Sequence, residues 1–188
     1  MIESIRTYGG FYIGRYELSE AGVQKNKPTL NNSDWYELFN ACKNKNLQAS
    51  DQVETRMIWG CQWDVTMNWL ISSGAKTSDE VNKDSSSWGN YYSTSVKADD
   101  GTTEIKASET SLVLNTGVTT FTMANNIYDL AGNCIELTQE ANVTGSRSAR
   151  GGLYFNKGSK EPACSLSYYL PNDGSNSSER YSSHFNNK

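Results

Sequence analysis

Four cysteines, one histidine and some closely spaced carboxylates are the groups in this 188-residue chain that could do covalent or metal chemistry. Cys42, Cys61, Cys134 and Cys164 are even in number, which permits two disulfides, but their wide spacings match no zinc pattern. Each reads first as a small buried hydrophobe, and together they identify no redox compartment. A serine or cysteine nucleophile needs a base that is itself held in place. His184, four residues from the end, is the only imidazole; it reads as an exposed bystander or a ligand contact, which leaves no second histidine as base, and one imidazole cannot build a multi-histidine metal site. Asp99 and Asp100 adjoin, but in a polar stretch where a solvated turn is the simpler reading.

The elements that would position such groups follow from composition and pattern. A formal charge of -4 and scattered Lys and Arg give no electrostatic footprint for nucleic acid. No apolar run approaches the length of a membrane span, and no signal-peptide core follows Met1. The length suits a single domain over residues 1–188, or the C-terminal part of a longer protein. Only 36% of the residues are hydrophobic, but 11% are aromatic, and large rings bury much area per residue.

Along the chain, residues 11–17 alternate aromatic and charged side chains and read as a strand. A polar loop with Pro28 follows. Ser33 or Asp34 then caps a helix to about Lys45, with Trp35, Leu38, Phe39 and Cys42 on one face. Residues 44–54 read as a polar connector. Residues 57–71 read as a second helix, with Trp59, Trp63, Met67 and Leu70 at helical steps and Gly74 as its stop. From 72 to 120 the chain is too polar to bury itself, so long loops must be pinned to the core by Trp88, Tyr91 and Tyr92. Short strands are expected around Ile127, at 134–137 and at 150–155. The sum is an α+β domain with two helices, short antiparallel strands and extensive ordered loops. Sequons at Asn31, Asn142 and Asn176 carry weight only on a eukaryotic secretory route.

Two motifs stand out. Residues 126–133 read Asn-Ile-Tyr-Asp-Leu-Ala-Gly-Asn and lead to Glu136; Arg150, Gly151 and Gly152 follow. Asp129 and Asn133 are turn formers, and Gly132 supplies a positive φ. With Phe11 to Glu17 and the Gln62-Trp63-Asp64 stretch, in this order, the chain resembles the formylglycine-generating-enzyme (sulfatase-modifying factor) superfamily, whose fold is C-type-lectin-like. Within it the chain is most similar to variable proteins diversified by a retroelement in bacteria and prophages. Their sequence after Arg-Gly-Gly varies within a constant frame, here Gly158-Ser159, Pro162-Ala163 and Gly174-Ser175.

The resemblance implies that residues 150–188 form a variable, non-catalytic ligand-binding region. Its exposed set would be Leu153, Tyr154, Phe155, Asn156, Lys160, Glu161, Cys164, Leu166, Tyr168, Tyr169 and Leu170, with the face extending to Tyr181. Tyr, Ser, Asn and Gly, the palette of antibody paratopes, dominate this tail. The ligand would be a protein or glycan on a cell surface, and the location a phage virion or bacterial surface. The alternative is a formylglycine-type oxidase or other metal enzyme of the superfamily. The oxidases need two thiolates just past the glycine pair to hold copper, and this chain has Cys164 alone there. No cofactor is required by this reading. Relatives also bind calcium near the Gly-Asn-x-x-Glu segment, which implies Asn133 and Glu136 as oxygen ligands; a turn-forming Asn133 and an ion-paired Glu136 remain the competing reading. Departures from the pattern include Leu137, Leu166 and the missing Gly-Phe-Arg closing motif, which bear on the last strand.

Overall fold

The computed structural model describes residues 5–7, 9–43, 53–173, 177–178 and 181–185. Asp34 begins the first helix, α1 (Trp35–Cys42), through a reciprocal cap. The Glu37 amide donates to the Asp34 carboxylate at 2.9 Å, and the Asp34 amide donates to Glu37 at 3.0 Å. Such a cap contributes about 1 kcal/mol. The helix buries Trp35, Leu38 and Cys42. Strand β1 (Tyr12–Ile13) precedes it, and β2 (Val53–Met57) follows at the end of the expected connector; residues 44–52 of that connector lie outside the described residues.

Helix α2 (Gly60–Ser72) starts three residues later than the periodicity suggests, because Met57 closes β2 and Ile58 crosses into the core. Trp63, Met67 and Leu70 face inward as expected, whereas Trp59 stands at the N-cap. The Glu140 carboxylate accepts from the Cys61 amide at 3.1 Å, an anion at the positive end of the helix. Ser73 and Gly74, the latter at φ +74, end the helix. A third helix, α3 (Ser78–Asn82), was not expected; Thr77 and Glu80 cap it reciprocally.

The remaining strands are short: β3 (Val96–Lys97), β4 (Glu104–Lys106), β5 (Met123–Ala124), β6 (Ile127–Tyr128), β7 (Ile135–Ala141), β8 (Arg147–Arg150), β9 (Leu166–Tyr169), β10 (Ser177–Ser178) and β11 (Tyr181–Phe185). They form a four-stranded sheet β10-β7-β8-β9, a three-stranded sheet β1-β11-β2, and two ribbons, β3-β4 and β5-β6. All pairs are antiparallel except β10 with β7. The mixture of helices and small antiparallel sheets is α+β. β8 ends at Arg150, so the stretch expected as a strand over 150–155 is instead the turn that leaves it.

Two apolar clusters hold these layers together. One gathers Ile58, Trp63, Met67, Leu70, Val81, Trp88, Tyr91, Leu130 and Ala163 under α2. The other packs Trp35, Leu38, Cys42 and Met57 against Ile135, Leu137, Ala149 and Leu153 of the sheet side. Fully burying one such side chain contributes roughly 1.5–3 kcal/mol. Trp88 and Tyr91 do pin the long polar stretch to the core, while Tyr92 is only half-buried.

Candidate ligand-binding face

The segment from Asp129 to Asn133 is a buried polar knot. Asp129 and Asn133 adopt left-handed backbone at φ +59 and +61. The Asp129 carboxylate accepts from the Thr116 hydroxyl (2.9 Å), the Gly117 amide (2.7 Å) and the Thr122 hydroxyl (2.7 Å). Asn133 Oδ1 accepts from Asn90 Nδ2 and the Leu114 amide, both at 2.9 Å; its Nδ2 donates to Glu17 at 2.6 Å and to the Leu114 carbonyl. Gly132 is required at φ +71, because a Cβ there would strike the Asn90 carbonyl. Polar groups this deep are tolerated only when paired, and here they fix one loop geometry.

That geometry bears on calcium. The oxygen of Asn133 is committed to two N–H donors, so it does not fit a calcium ligand. Glu136 is fully buried in β7, in register with Arg150 of β8. Among the described residues no three His, Cys, Asp or Glu side chains come together as a metal-holding group. All four cysteines are free thiols. Burial holds the Cys134 thiol well above its usual pKa and raises Cys164 as well. His184 lies in β11, which is described by its backbone.

The Arg150-Gly-Gly motif joins the knot to the loop beyond it. Arg150, almost wholly buried, places its guanidinium 3.1 Å from Asp64 of α2 and donates to the Cys164 carbonyl at 3.3 Å. Tyr91 Oη donates to the Gly151 carbonyl at 3.1 Å. Gly152 sits at φ +79, and a Cβ on it would collide with the Glu161 carbonyl oxygen. Of the frame residues that follow, Gly158, Pro162 and Ala163 are buried and Ser159 is exposed. Gly158 lies against the Ser86 backbone; Ala163 donates its amide to Ser85 Oγ at 2.9 Å and accepts from Trp63 Nε1 at 3.0 Å. Gly174 and Ser175 lie outside the described residues.

On this frame the candidate residues separate. Leu153, expected on the exposed face, is a core residue, only 4% exposed within the Trp35–Leu137 cluster. The two left-handed glycines turn the chain over that cluster, and an apolar side chain fills the space beneath the turn. Tyr154 and Tyr169 are half-buried against the same cluster; Tyr154 meets Phe155 edge-on at 5.1 Å. Burial raises the phenols of both tyrosines. Asn156 is held by its backbone between Leu153 and Tyr92, Lys160 is exposed, and Glu161 and Cys164 are half-buried.

The rest are on β9. Leu166 and Tyr168 are exposed on one side of the strand, followed by Leu170, whereas Ser167 and Tyr169 point to the other. Four of the ten exposed large apolar side chains among the described residues, Phe155, Leu166, Tyr168 and Leu170, therefore fall within 155–170. The expected set thus divides at β9: Leu166 and Tyr168 are exposed on one side, while Tyr169 on the other packs against the Trp35–Leu137 cluster. Tyr181 lies in β11, described by its backbone alone.

Two features were not read from the sequence. Lys106 is 2% exposed, and its ammonium donates to the carbonyls of Tyr91 (2.8 Å), Thr94 (2.6 Å), Ala107 (3.3 Å) and Thr110 (3.2 Å). It gathers the loops that carry Tyr91 and Tyr92. No pattern around a lysine in a polar stretch signals this. The second is an open groove of about 590 Å³ lined by Phe11, Tyr12, Ile13, Val65, Trp69 and Ile127 among others, which includes no candidate residue.

No protein-family profile matches the chain, and no curated protein matches it. Among solved structures the fold is similar to that of Treponema denticola variable protein 1, with a TM-score of 0.50 and 14% identity over 95% of this chain and 79% of that one. It also aligns with the protein described as CarF, with a TM-score of 0.49 and 14% identity, covering 97% of this chain and 62% of that one. No helix among the described residues is long and apolar enough to cross a membrane.

Proposed function

We propose that this chain is a non-catalytic recognition domain on a C-type-lectin-like scaffold, and that its ligand is engaged by the rim around β9. The observation that carries this reading is the concentration of exposed Phe155, Leu166, Tyr168 and Leu170 on a frame tied down by the Trp63–Ala163, Tyr91–Gly151 and Ala163–Ser85 hydrogen bonds. Clustered exposed apolar side chains on rigid supports mark recognition surfaces. The fold shared with a protein named for its variability supports a surface built to be varied, of the retroelement-diversified kind. The ligand is a protein or glycan on a cell surface, and the chain acts from a phage virion or bacterial surface.

The test uses fluorescently labelled chain on a glycan array and on a panel of intact bacterial strains. A double variant, Leu166→Ser with Tyr168→Ser, should keep the wild-type melting temperature and lose the bound signals. Signals unchanged by the double variant would refute the assignment of the face. Sequences of sibling proteins from one genome add a check: their differences should fall on the exposed positions of 155–170 and spare Gly158, Ala163 and Leu153.

A further inference from the structure

We infer that β9 is an open sheet edge that takes an extended segment of a partner protein as an added strand. This rests on the reading that the rim around β9 is the recognition surface, and it names the class of ligand.

β9 is the outermost strand of its sheet, with β8 on its inner side through four paired residues. Among the described residues, the backbone of Leu166–Tyr169 makes no hydrogen bond beyond that pairing. Half of its N–H and C=O groups therefore face outward as a row of donors and acceptors. Sheet proteins blunt such edges with charges, proline or bulges. β2, at the edge of the three-stranded sheet, carries Glu54 and Arg56. β3, an edge of the two-stranded β3-β4 ribbon, contains a register shift. β9 has none of these. From Leu166 to Leu170 no residue is charged, the pairing with β8 is regular, and the first proline is Pro171.

An unprotected, apolar, regularly paired edge either aggregates or is used. What satisfies a row of backbone groups at strand spacing is another extended backbone, a geometry that a glycan's hydroxyls do not repeat. Side chains give the preference. Leu166, Tyr168 and Leu170 would lie beside alternate residues of the incoming strand, and aromatic or β-branched residues pair best with them. The partner segment is therefore extended, uncharged and apolar at every second position.

The experiment selects binders from a phage-displayed library of linear dodecapeptides, synthesises the best, and measures its affinity by calorimetry. Hydrogen exchange of the β9 amides is followed with and without that peptide. Two variants, Ser167→Pro and Tyr168→Pro, are compared, because one amide of this adjacent pair faces β8 and the other faces out. The inward-facing variant should lose stability. The outward-facing one should keep its melting temperature yet bind the peptide about tenfold more weakly, the loss of one hydrogen bond and of room for the ladder. The peptide should also slow exchange at the outward β9 amides. If both variants fail to fold, that protection decides the matter alone. Peptide binding without β9 protection, or no peptide recovered, overturns the added-strand inference. Glycan or cell binding that is still lost in the Leu166→Ser, Tyr168→Ser variant would leave the recognition face standing. Protection of β9 in the free chain, together with a dimer by light scattering, also overturns it, since the edge is then taken by a second copy.

Discussion

Trp63 is the residue through which the core supports the rim, and replacing it should separate frame from face. Its indole is completely buried, its Nε1 donates to the Ala163 carbonyl at 3.0 Å, and its ring lies beneath Gly151. Truncation of a buried tryptophan to alanine costs roughly 3–5 kcal/mol in lost transfer energy and residual cavity. The abandoned Ala163 carbonyl adds about 1 kcal/mol. Trp63→Ala should therefore remove roughly 4–6 kcal/mol, a large share of the roughly 5–15 kcal/mol typical of a domain. Trp63→Phe keeps most of the ring and forfeits the hydrogen bond, at about 1–2 kcal/mol. Urea titrations at fixed temperature, with the slope m checked for constancy, measure both. At roughly 2–4 °C per kcal/mol for a chain of this size, melting temperatures should fall by tens of degrees at most for alanine and only several for phenylalanine. Either of two results would refute the reasoning. Trp63→Ala within 1 kcal/mol of wild type (about one weak hydrogen bond) would mean that the cavity closes freely. Equal losses in the two variants would mean that the indole hydrogen bond, not the packed volume, carries the site.

Other expectations follow from the same contacts. Lys106→Met keeps the stem but removes the ammonium that holds four carbonyls, and should destabilise by about 2 kcal/mol or more; a urea midpoint at the wild-type value would contradict that role. Gly152→Ala meets the Glu161 carbonyl and a left-handed backbone together, whereas Gly145→Ala at φ +86 meets nothing within 4 Å. The first should cost well over 2 kcal/mol and the second about 1 kcal/mol by denaturation; equal costs would show that the close approach is unimportant. The Asp100 carboxylate accepts from the Thr103 hydroxyl and from the Thr103 and Thr102 amides, which lower its pKa to about 2. Because the folded value is depressed, the bonded turn is intact above the unfolded carboxyl pKa and is lost as the pH falls through about 2. Carboxyl carbon NMR should give a midpoint near 2; one near the ordinary 3.8 would remove the turn from the account.

What could be read in advance depended on whether the signal was local. A cap at Ser33 or Asp34 and the Trp63, Met67 and Leu70 stripe are local signals; Asp34 is the cap, completed by Glu37, and the stripe faces inward as expected. The Thr77–Glu80 cap carries the same signature, but its polar surroundings show no apolar stripe to mark a helix. β2 was invisible for another reason. Its Val-Glu-Thr-Arg-Met sequence has no apolar alternation strong enough to outweigh a loop, and its partner β11 lies more than a hundred residues further on. Leu153 was misplaced because adjacency to variable-looking residues says nothing about side-chain direction after two left-handed glycines. That residues 155–170 carry exposed side chains is legible as a stretch of chain; that β9 turns Tyr169 inward while exposing Leu166 and Tyr168 is not.

The order β1-β11-β2 ties folding to the ribosome's schedule. β11 lies between two strands that belong to the first third of the chain, Tyr12 pairing with Ser183 and Met57 with Tyr181. Neither early strand has its partner until residues 181–185 have emerged. Loop closure over such distances is slow. During synthesis β1 and β2 must therefore wait unpaired, and a message cut short before residue 181 would yield a chain that lacks the middle strand of this sheet. Translation through β11 becomes the condition for closing this sheet, so a chain cut short before it cannot complete the fold.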